Sequence, residues 1–191
     1  ILNQSAIDRG MFRSFAFRTN HVEERKKSTT HTEDIIMPSI EIRAKSYNYS
    51  KLNANGIVKA GIFVGPSDVI VGRVQTKNIK TGGEEKTDTS VCIKSGEEGY
   101  VDRVYISTSP EGYKMVKVKI RSLKVPEIGD KVASRAAQKG TVGMIFRQED
   151  MPFCNQTGMV PDIIINPLCL PSRMTINQII ECIASKSSAH E

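Results

Sequence analysis

YKMVKVKIRSL, residues 113–123, decides how the fold is read. Met115 falls out of phase, but Val116, Val118 and Ile120 then alternate with Lys117, Lys119 and Arg121. A period of two sends the two sets to opposite faces of a strand. One face is therefore for a core and the other carries cations. YVDRVYIST (100–108) reads as a second long strand, and the intervening SPEG supplies proline and then glycine for a short hairpin turn.

Outward from this hairpin the signals shorten. GIVKAGIFVGPSDVIVGRV (56–74) holds two β-branched runs broken by Gly65-Pro66, which predicts two short strands around a turn. MFRSFAFRT (11–19) has a strand-like pattern, and TVGMIF (141–146) and PDIIIN (161–166) read as buried strands. HVEERKKSTTHTED (21–34) is polar, either a short exposed helix or, as we read it, a loop. KNIKTGGEEKTDTS (77–90) has no core-forming residue beyond Ile79 and is predicted to be a surface loop. One helix is clear. Thr175 with Gln178 fits a capping box, Ile176, Ile179, Ile180 and Ile183 recur at helical spacing, and Lys186 suits the C-terminal end. The class is α+β and β-rich, with many short, mostly antiparallel strands in barrel-like or sheet units and one C-terminal helix.

The chain has 191 residues, 39% hydrophobic and 25% charged, the balance of a globular protein rather than a disordered tail. Its net charge of +6 is unevenly placed. Between Lys114 and Arg147 lie nine Lys/Arg and two acids, an excess of +7, so the rest is close to neutral. A local basic face fits a polyanion. Cys92, Cys154, Cys169 and Cys182 stand singly, without the short spacings structural zinc needs, so no zinc site is expected and a reducing compartment is. No apolar run approaches the ~20 residues of a membrane span, so no membrane partner is expected. ILNQSAIDRG at the start has neither an initiator methionine nor a signal-peptide pattern, and we read the chain as a piece of a longer one.

GDKVASRAAQKG (129–140) places Lys131, Arg135 and Lys139 four residues apart, with glycine near both ends and little bulk between. That composition suits neither a buried strand nor an amphipathic helix. Lysines beside glycines can approach phosphates closely, and a solvated basic loop fits the spacing equally well. The P-loop pattern is absent. In PSRMT (171–175), Arg173 stands just before the capped helix, where an arginine can grip an anion or simply pair with Glu181 or Asp162. Glu149 and Asp150 are adjacent on an extended segment and so point apart, and His21, His31 and His190 have no nucleophile or acid spaced to form a triad. Nothing here makes a self-contained active site.

Taken in order, NQSAIDRGMFRS (3–14), KVPEIGDKVASRAAQKGTVG (124–143), QEDMPF (148–153), PDIIINPLCLPSRMT (161–175) and IIECIASK (179–186) resemble the second-largest subunit of multisubunit DNA-directed RNA polymerase. The branch is eukaryotic, archaeal-like or that of a large DNA virus. The resemblance covers nearly the whole chain and weakens at 20–50 and 75–95. It implies a wall (flap) domain over 14–125, set in a hybrid-binding domain made of 1–13 and 126–191. It implies Lys131 and Lys139 beside the RNA 3′ end and nucleotide phosphates, and Arg173 toward the incoming triphosphate, with Arg135 and Gln138 grouped as substrate-binding. It implies Mg2+ in the complete enzyme with no ligand from this chain, and an isolated fragment without activity. The implied partners are template DNA, the transcript, nucleoside triphosphates, the largest subunit and other polymerase subunits. The implied compartment is intracellular: the nucleus, or cytoplasm or virion for a viral protein. A free-standing nucleic-acid-binding module and an assembly scaffold with a basic face are the alternatives. The sparse aromatics, 6% with no tryptophan, argue against a stacking platform. One departure stands out: the usual SRHGQKG is SRAAQKG here, with Ala136-Ala137 in place of His-Gly, which puts the loop conformation in question.

Overall fold

The computed structural model describes residues 1–28, 31–78 and 83–190. In chain order the first strands are β1 (Leu2–Asn3), β2 (Ser14–Glu23), β3 (Arg25–Ser28), β4 (His31–Asp34) and β5 (Phe63–Val64). They are followed by β6 (Val69–Val71), β7 (Val74–Asn78), β8 (Glu84–Asp88), β9 (Val91–Cys92) and β10 (Gly99–Thr108). The last are β11 (Lys114–Lys124), β12 (Lys131–Val132), β13 (Gly140–Thr141) and β14 (Ile145–Phe146). Three α-helices, α1 (Gln4–Asp8), α2 (Cys169–Arg173) and α3 (Ile176–His190), accompany them. The fold is strand-rich and mostly antiparallel, as predicted, with its one long helix at the C-terminal end. No helix among the described residues is long and apolar enough to cross a membrane.

The backbone divides into two compact units, Ile1–Ser14 with Lys124–Glu191, and Phe15–Leu123. The second holds the larger core, built where the opening stretch requires it. β10 and β11 pair from Tyr100↔Arg121 to Thr108↔Lys114, with a bulge between Val101 and Arg103. Val116, Val118 and Ile120 are buried, together with Val22, Ile35, Ile57, Val58, Val64, Ile70, Val71, Ile93 and Val101. The sheet order is β2-β11-β10-β5. Tight packing at its edge forbids a side chain at Gly99, where a Cβ would lie 2.4 Å from the Arg121 carbonyl oxygen. Asp68, 6% exposed, ties down the turn after β5: Gly65 N–H (2.7 Å), the Lys51 ammonium (2.5 Å) and the Asn48 amide (2.8 Å) all donate to its carboxylate.

Several expectations are corrected here. The described part of 21–34 is mostly strand rather than loop: β2 runs to Glu23, and β3 and β4 follow. β7 and β8 occupy most of the described part of the predicted loop 77–90, while Ile79 lies outside the described residues. Both regions join one sheet, β3-β4-β7-β8, whose rungs include the opposite charges Arg25↔Glu33 and Lys77↔Glu85. Ladder hydrogen bonds pair these largely polar strands, buried Val74 anchors β7, and buried Glu33 forms an ion pair with Arg73 (3.2 Å). The strand predicted at 11–19 begins only at Ser14, because Phe12 turns the chain with φ +57°. PDIIIN forms no strand: Ile163 makes one isolated bridge to Leu2, and Ile163 and Ile165 are exposed. TVGMIF is split between β13 and β14.

The other unit is built around its first residues. Leu2 N–H donates to the Met144 carbonyl (3.0 Å), and Asn3 N–H to that of Asp162 (2.9 Å). β1 pairs with β14 in parallel. Leu2, Ile7 and Val142 form a small buried cluster, with Met11, Val132 and Ile145 packed against it.

Candidate functional site

GDKVASRAAQKG folds as a hairpin. β12 and β13 pair through Lys131↔Thr141 and Val132↔Gly140. Two more backbone bonds extend it, Gly129 N–H to the Val142 carbonyl (2.9 Å) and Val142 N–H to the Asp130 carbonyl (2.8 Å). Gly129 adopts φ +101°, which an L side chain resists. Buried Val142 anchors this end in the small core, so the other end, Ala133–Lys139, is the part presented. The ladder ends at Gly140, and Lys139 lies one residue beyond it, in the turn. Both lysines are exposed.

The loop tip is held locally. Ser134 Oγ accepts from Ala136 N–H (3.2 Å), its carbonyl accepts from Ala137 N–H (3.3 Å), and Lys139 N–H donates to the Ala137 carbonyl (2.9 Å). Ala136 is buried, so its methyl packs where the usual histidine would need more room. Ala137 has φ +58°, the left-handed conformation that the usual glycine adopts at no steric cost. The question raised by the alanine pair therefore has a physical answer: the left-handed turn is present, and alanine bears its strain.

Arg173, in the last turn of α2, comes onto this tip. Its Nη1 donates to Gln138 Oε1 (3.0 Å) and to the Lys139 carbonyl (2.8 Å). Gln138 Nε2 in turn donates to the Cys169 carbonyl (3.3 Å) and to Thr175 Oγ1. Met174, at φ +55°, closes α2 and redirects the chain, with Thr175 N–H donating back to the Leu170 carbonyl (3.2 Å). Sequence blocks more than thirty residues apart thus meet, and Arg173 and Lys139 are brought together.

Not every predicted residue is placed alike. Arg135 forms an ion pair with Glu181 of α3 rather than standing unpaired. Both partners first considered for Arg173 are taken by others: Asp162 pairs with Arg9 (2.8 Å), and Glu181 with Arg135. Gln138 has its amide fully engaged within the protein. The capping box is also corrected. Thr175 Oγ1 serves Gln138, Thr175 N–H already has a partner, and buried Gln178 Oε1 has none among the described residues. Glu149 pairs with Arg147 at the surface (3.8 Å).

A second arrangement escaped the sequence reading. On β11, Lys119 Nζ lies 4.3 Å from the Phe17 ring centroid, and Arg121 Cζ 5.5 Å from that of Phe15. Across the sheet, Tyr105 opposes Lys117, Arg103 opposes Lys119, and Tyr100 opposes Arg121. Tyr100 also meets Phe63 edge-on, with centroids 5.2 Å apart. Phe15, Phe17, Tyr100 and Tyr105 are all exposed. Part of the chain's small aromatic complement thus stands among the cations of one face. The two-residue spacing of Phe15 and Phe17 was the available signal.

The chain combines a strand-rich fold with a basic hairpin on which an arginine docks, and similarity shows the family to which it belongs. The family model described as "RNA polymerase Rpb2, domain 6" matches residues 1–191, and the chain belongs to that family. It is 46% identical over 200 residues to DNA-directed RNA polymerase II subunit RPB2 of Schizosaccharomyces pombe, covering 99% of this chain and 16% of that protein. It is 50% identical over 193 residues to a probable RPB2 homologue of Invertebrate iridescent virus 6, covering 98% and 16%. It is 44% identical over 198 residues to subunit Rpo2 of Saccharolobus solfataricus, covering 99% and 17%. The chain thus spans about a sixth of the length of these relatives. The resemblance to the second-largest polymerase subunit is borne out.

Proposed function

We propose that this chain is part of the catalytic core of a DNA-directed RNA polymerase. In this reading Lys131 and Lys139 contact the RNA 3′ end and nucleotide phosphates, and Arg173 contacts the phosphates of the incoming triphosphate. Arg135, paired with Glu181, and Gln138, bonded to Arg173, belong to the same substrate-binding group in this reading. The observation that carries the reading is the docking of Arg173 on the Lys139 carbonyl, which gathers exposed cations from two distant blocks. Phosphoryl transfer asks the protein for positioning and for neutralisation of developing negative charge, and such cations supply both.

Among the described residues no group of three or more His, Cys, Asp or Glu is placed to hold a metal ion. In this reading the Mg2+ of the complete enzyme takes no ligand from this chain. The unit Phe15–Leu123 corresponds to the wall and the remainder to part of the hybrid-binding domain. The partners are the largest subunit, other subunits, template, transcript and nucleoside triphosphates. The compartment is the nucleus, or cytoplasm or virion for a virus-encoded enzyme. The 191-residue chain alone is expected to be inactive.

The test is Lys139→Ala in the assembled polymerase. Nucleotide addition is expected to slow far more than template binding weakens, and normal elongation by this variant would overturn the assignment. The cation–aromatic face of β2, β10 and β11 favours a second reading, a nucleic-acid-binding module. It predicts tight, steeply salt-dependent binding by the chain alone in filter-binding titrations at two salt concentrations.

A further inference from the structure

The Gln138 amide has an orientation that chemistry fixes. The Cys169 carbonyl can only accept a hydrogen bond, so Nε2 must face it at 3.3 Å. The Arg173 guanidinium can only donate, so Oε1 must face Nη1 at 3.0 Å. Thr175 Oγ1 accepts from the same Nε2 and so holds the amide by its far end. Nη1 is thereby committed to Gln138 and the Lys139 carbonyl, both uncharged acceptors. Neither removes the guanidinium's charge, and Arg173 forms no ion pair among the described residues. A carboxylate in the place of Gln138 would hold the arginine as firmly but neutralise it.

We infer that Thr175 and Gln138 are positioning residues, a hydroxyl–amide brace that aims the charged Arg173 at a nucleotide triphosphate without quenching it. This rests on the reading of Arg173 as a phosphate contact and deepens it. Thr175 matters here through Gln138 rather than as a cap of α3, because its hydroxyl is spent on the amide. The brace also couples Arg173 to Lys139, since one guanidinium nitrogen bonds both the brace and the lysine's own peptide carbonyl.

Single-nucleotide addition by the assembled polymerase tests this with Thr175→Val, Thr175→Ser, Gln138→Glu and Arg173→Ala. Loss of one neutral hydrogen bond to the brace is expected to raise KM for the nucleotide about five-fold in Thr175→Val, with kcat within about two-fold. Thr175→Ser keeps the hydroxyl and is expected to restore KM. Gln138→Glu, which sets a carboxylate beside Arg173 and against the Cys169 carbonyl, is expected to raise KM about ten-fold. It leaves Thr175 intact, so it remains readable if Thr175→Val assembles poorly. Thr175→Val added to Arg173→Ala is expected to change nothing more, because the brace then has nothing to aim. If Arg173→Ala raises KM while Thr175→Val and Gln138→Glu do not, the brace is overturned and the phosphate reading stands. If Arg173→Ala itself leaves KM unchanged, the phosphate reading fails and the brace with it. A loss of kcat in Thr175→Val at constant KM, additive with Arg173→Ala, would make Thr175 structural only.

Discussion

Ala136 and Ala137 are chemically identical neighbours, and the structure requires them to respond oppositely to glycine. Ala137 holds φ +58°, where a Cβ costs an L residue about 1–2 kcal/mol. Replacing it by glycine removes that strain but loosens the unfolded chain by about 0.4–1 kcal/mol. The balance is a stabilisation of the tip by about 0.5–1 kcal/mol. Ala136 is buried, at 7% exposure, and is not among the positive-φ residues. Glycine there gives up a buried methyl, about 0.8 kcal/mol, together with the same loosening, roughly 1.5 kcal/mol of destabilisation in all. The reporters are the Ala137 and Lys139 amides, which bond the Ser134 and Ala137 carbonyls. Hydrogen exchange in the assembled subunit is expected to slow several-fold at these amides in Ala137→Gly and to quicken about ten-fold in Ala136→Gly. If both variants quicken exchange alike, Ala137 bears no left-handed strain and our account of the altered SRAAQKG loop is wrong.

In the assembled polymerase, Lys131→Ala and Lys139→Ala each remove a charged phosphate contact and are expected to slow nucleotide addition at least about ten-fold. Template affinity measured beside them should move less than about two-fold, and equal losses in both would refute the site. At Asp68, burial alone pushes the carboxyl up, but donation from Gly65, Lys51 and Asn48 outweighs it and holds the group below its ordinary 3.8. A lowered folded value means the stabilisation is present above about pH 4 and is lost as pH falls through that value. Asp68→Asn should therefore quicken exchange at the Ile93 amide, which bonds the Asp68 carbonyl, at pH 7 and flatten its acid dependence below pH 4. If the sheet face of β11 meets nucleic acid, Lys119→Ala should lower the slope of log affinity against log salt by about one. An unchanged slope removes Lys119 from any such contact.

The long hairpin was legible because apolar alternation writes itself into one strand: Val116, Val118 and Ile120 are buried as their spacing requires. The sheet β3-β4-β7-β8 was not, because its signal lies across strands. These polar strands find their register only through their partners, and buried Glu33 has a counter-charge in Arg73, far along the chain. PDIIIN failed the other way, an apolar run whose Ile163 and Ile165 remain exposed. At the site, the cations were legible by composition but their partners were not. Arg173 had two plausible carboxylates in sequence, and the fold gives Asp162 to Arg9 and Glu181 to Arg135. Long-range charge pairing has many one-dimensional solutions, and only the backbone path selects among them.

That selection leaves the charge of this unit unevenly cancelled. Arg9, Arg135 and Arg147 each face a carboxylate, so their fields are short-ranged and largely screened. Arg173 faces only a side-chain amide and a peptide carbonyl, and no ion pair to Lys131 or Lys139 forms among the described residues. Dipolar acceptors orient a guanidinium while leaving its full charge to act outward. Arg173 and the exposed Lys139, whose carbonyl it bonds, therefore lack a carboxylate partner among the described residues, whereas Arg9, Arg135 and Arg147 each have one. A loop built only for solubility would gain nothing from this division. An anion arriving between Lys139 and Arg173 would supply the counter-charge that the fold itself withholds.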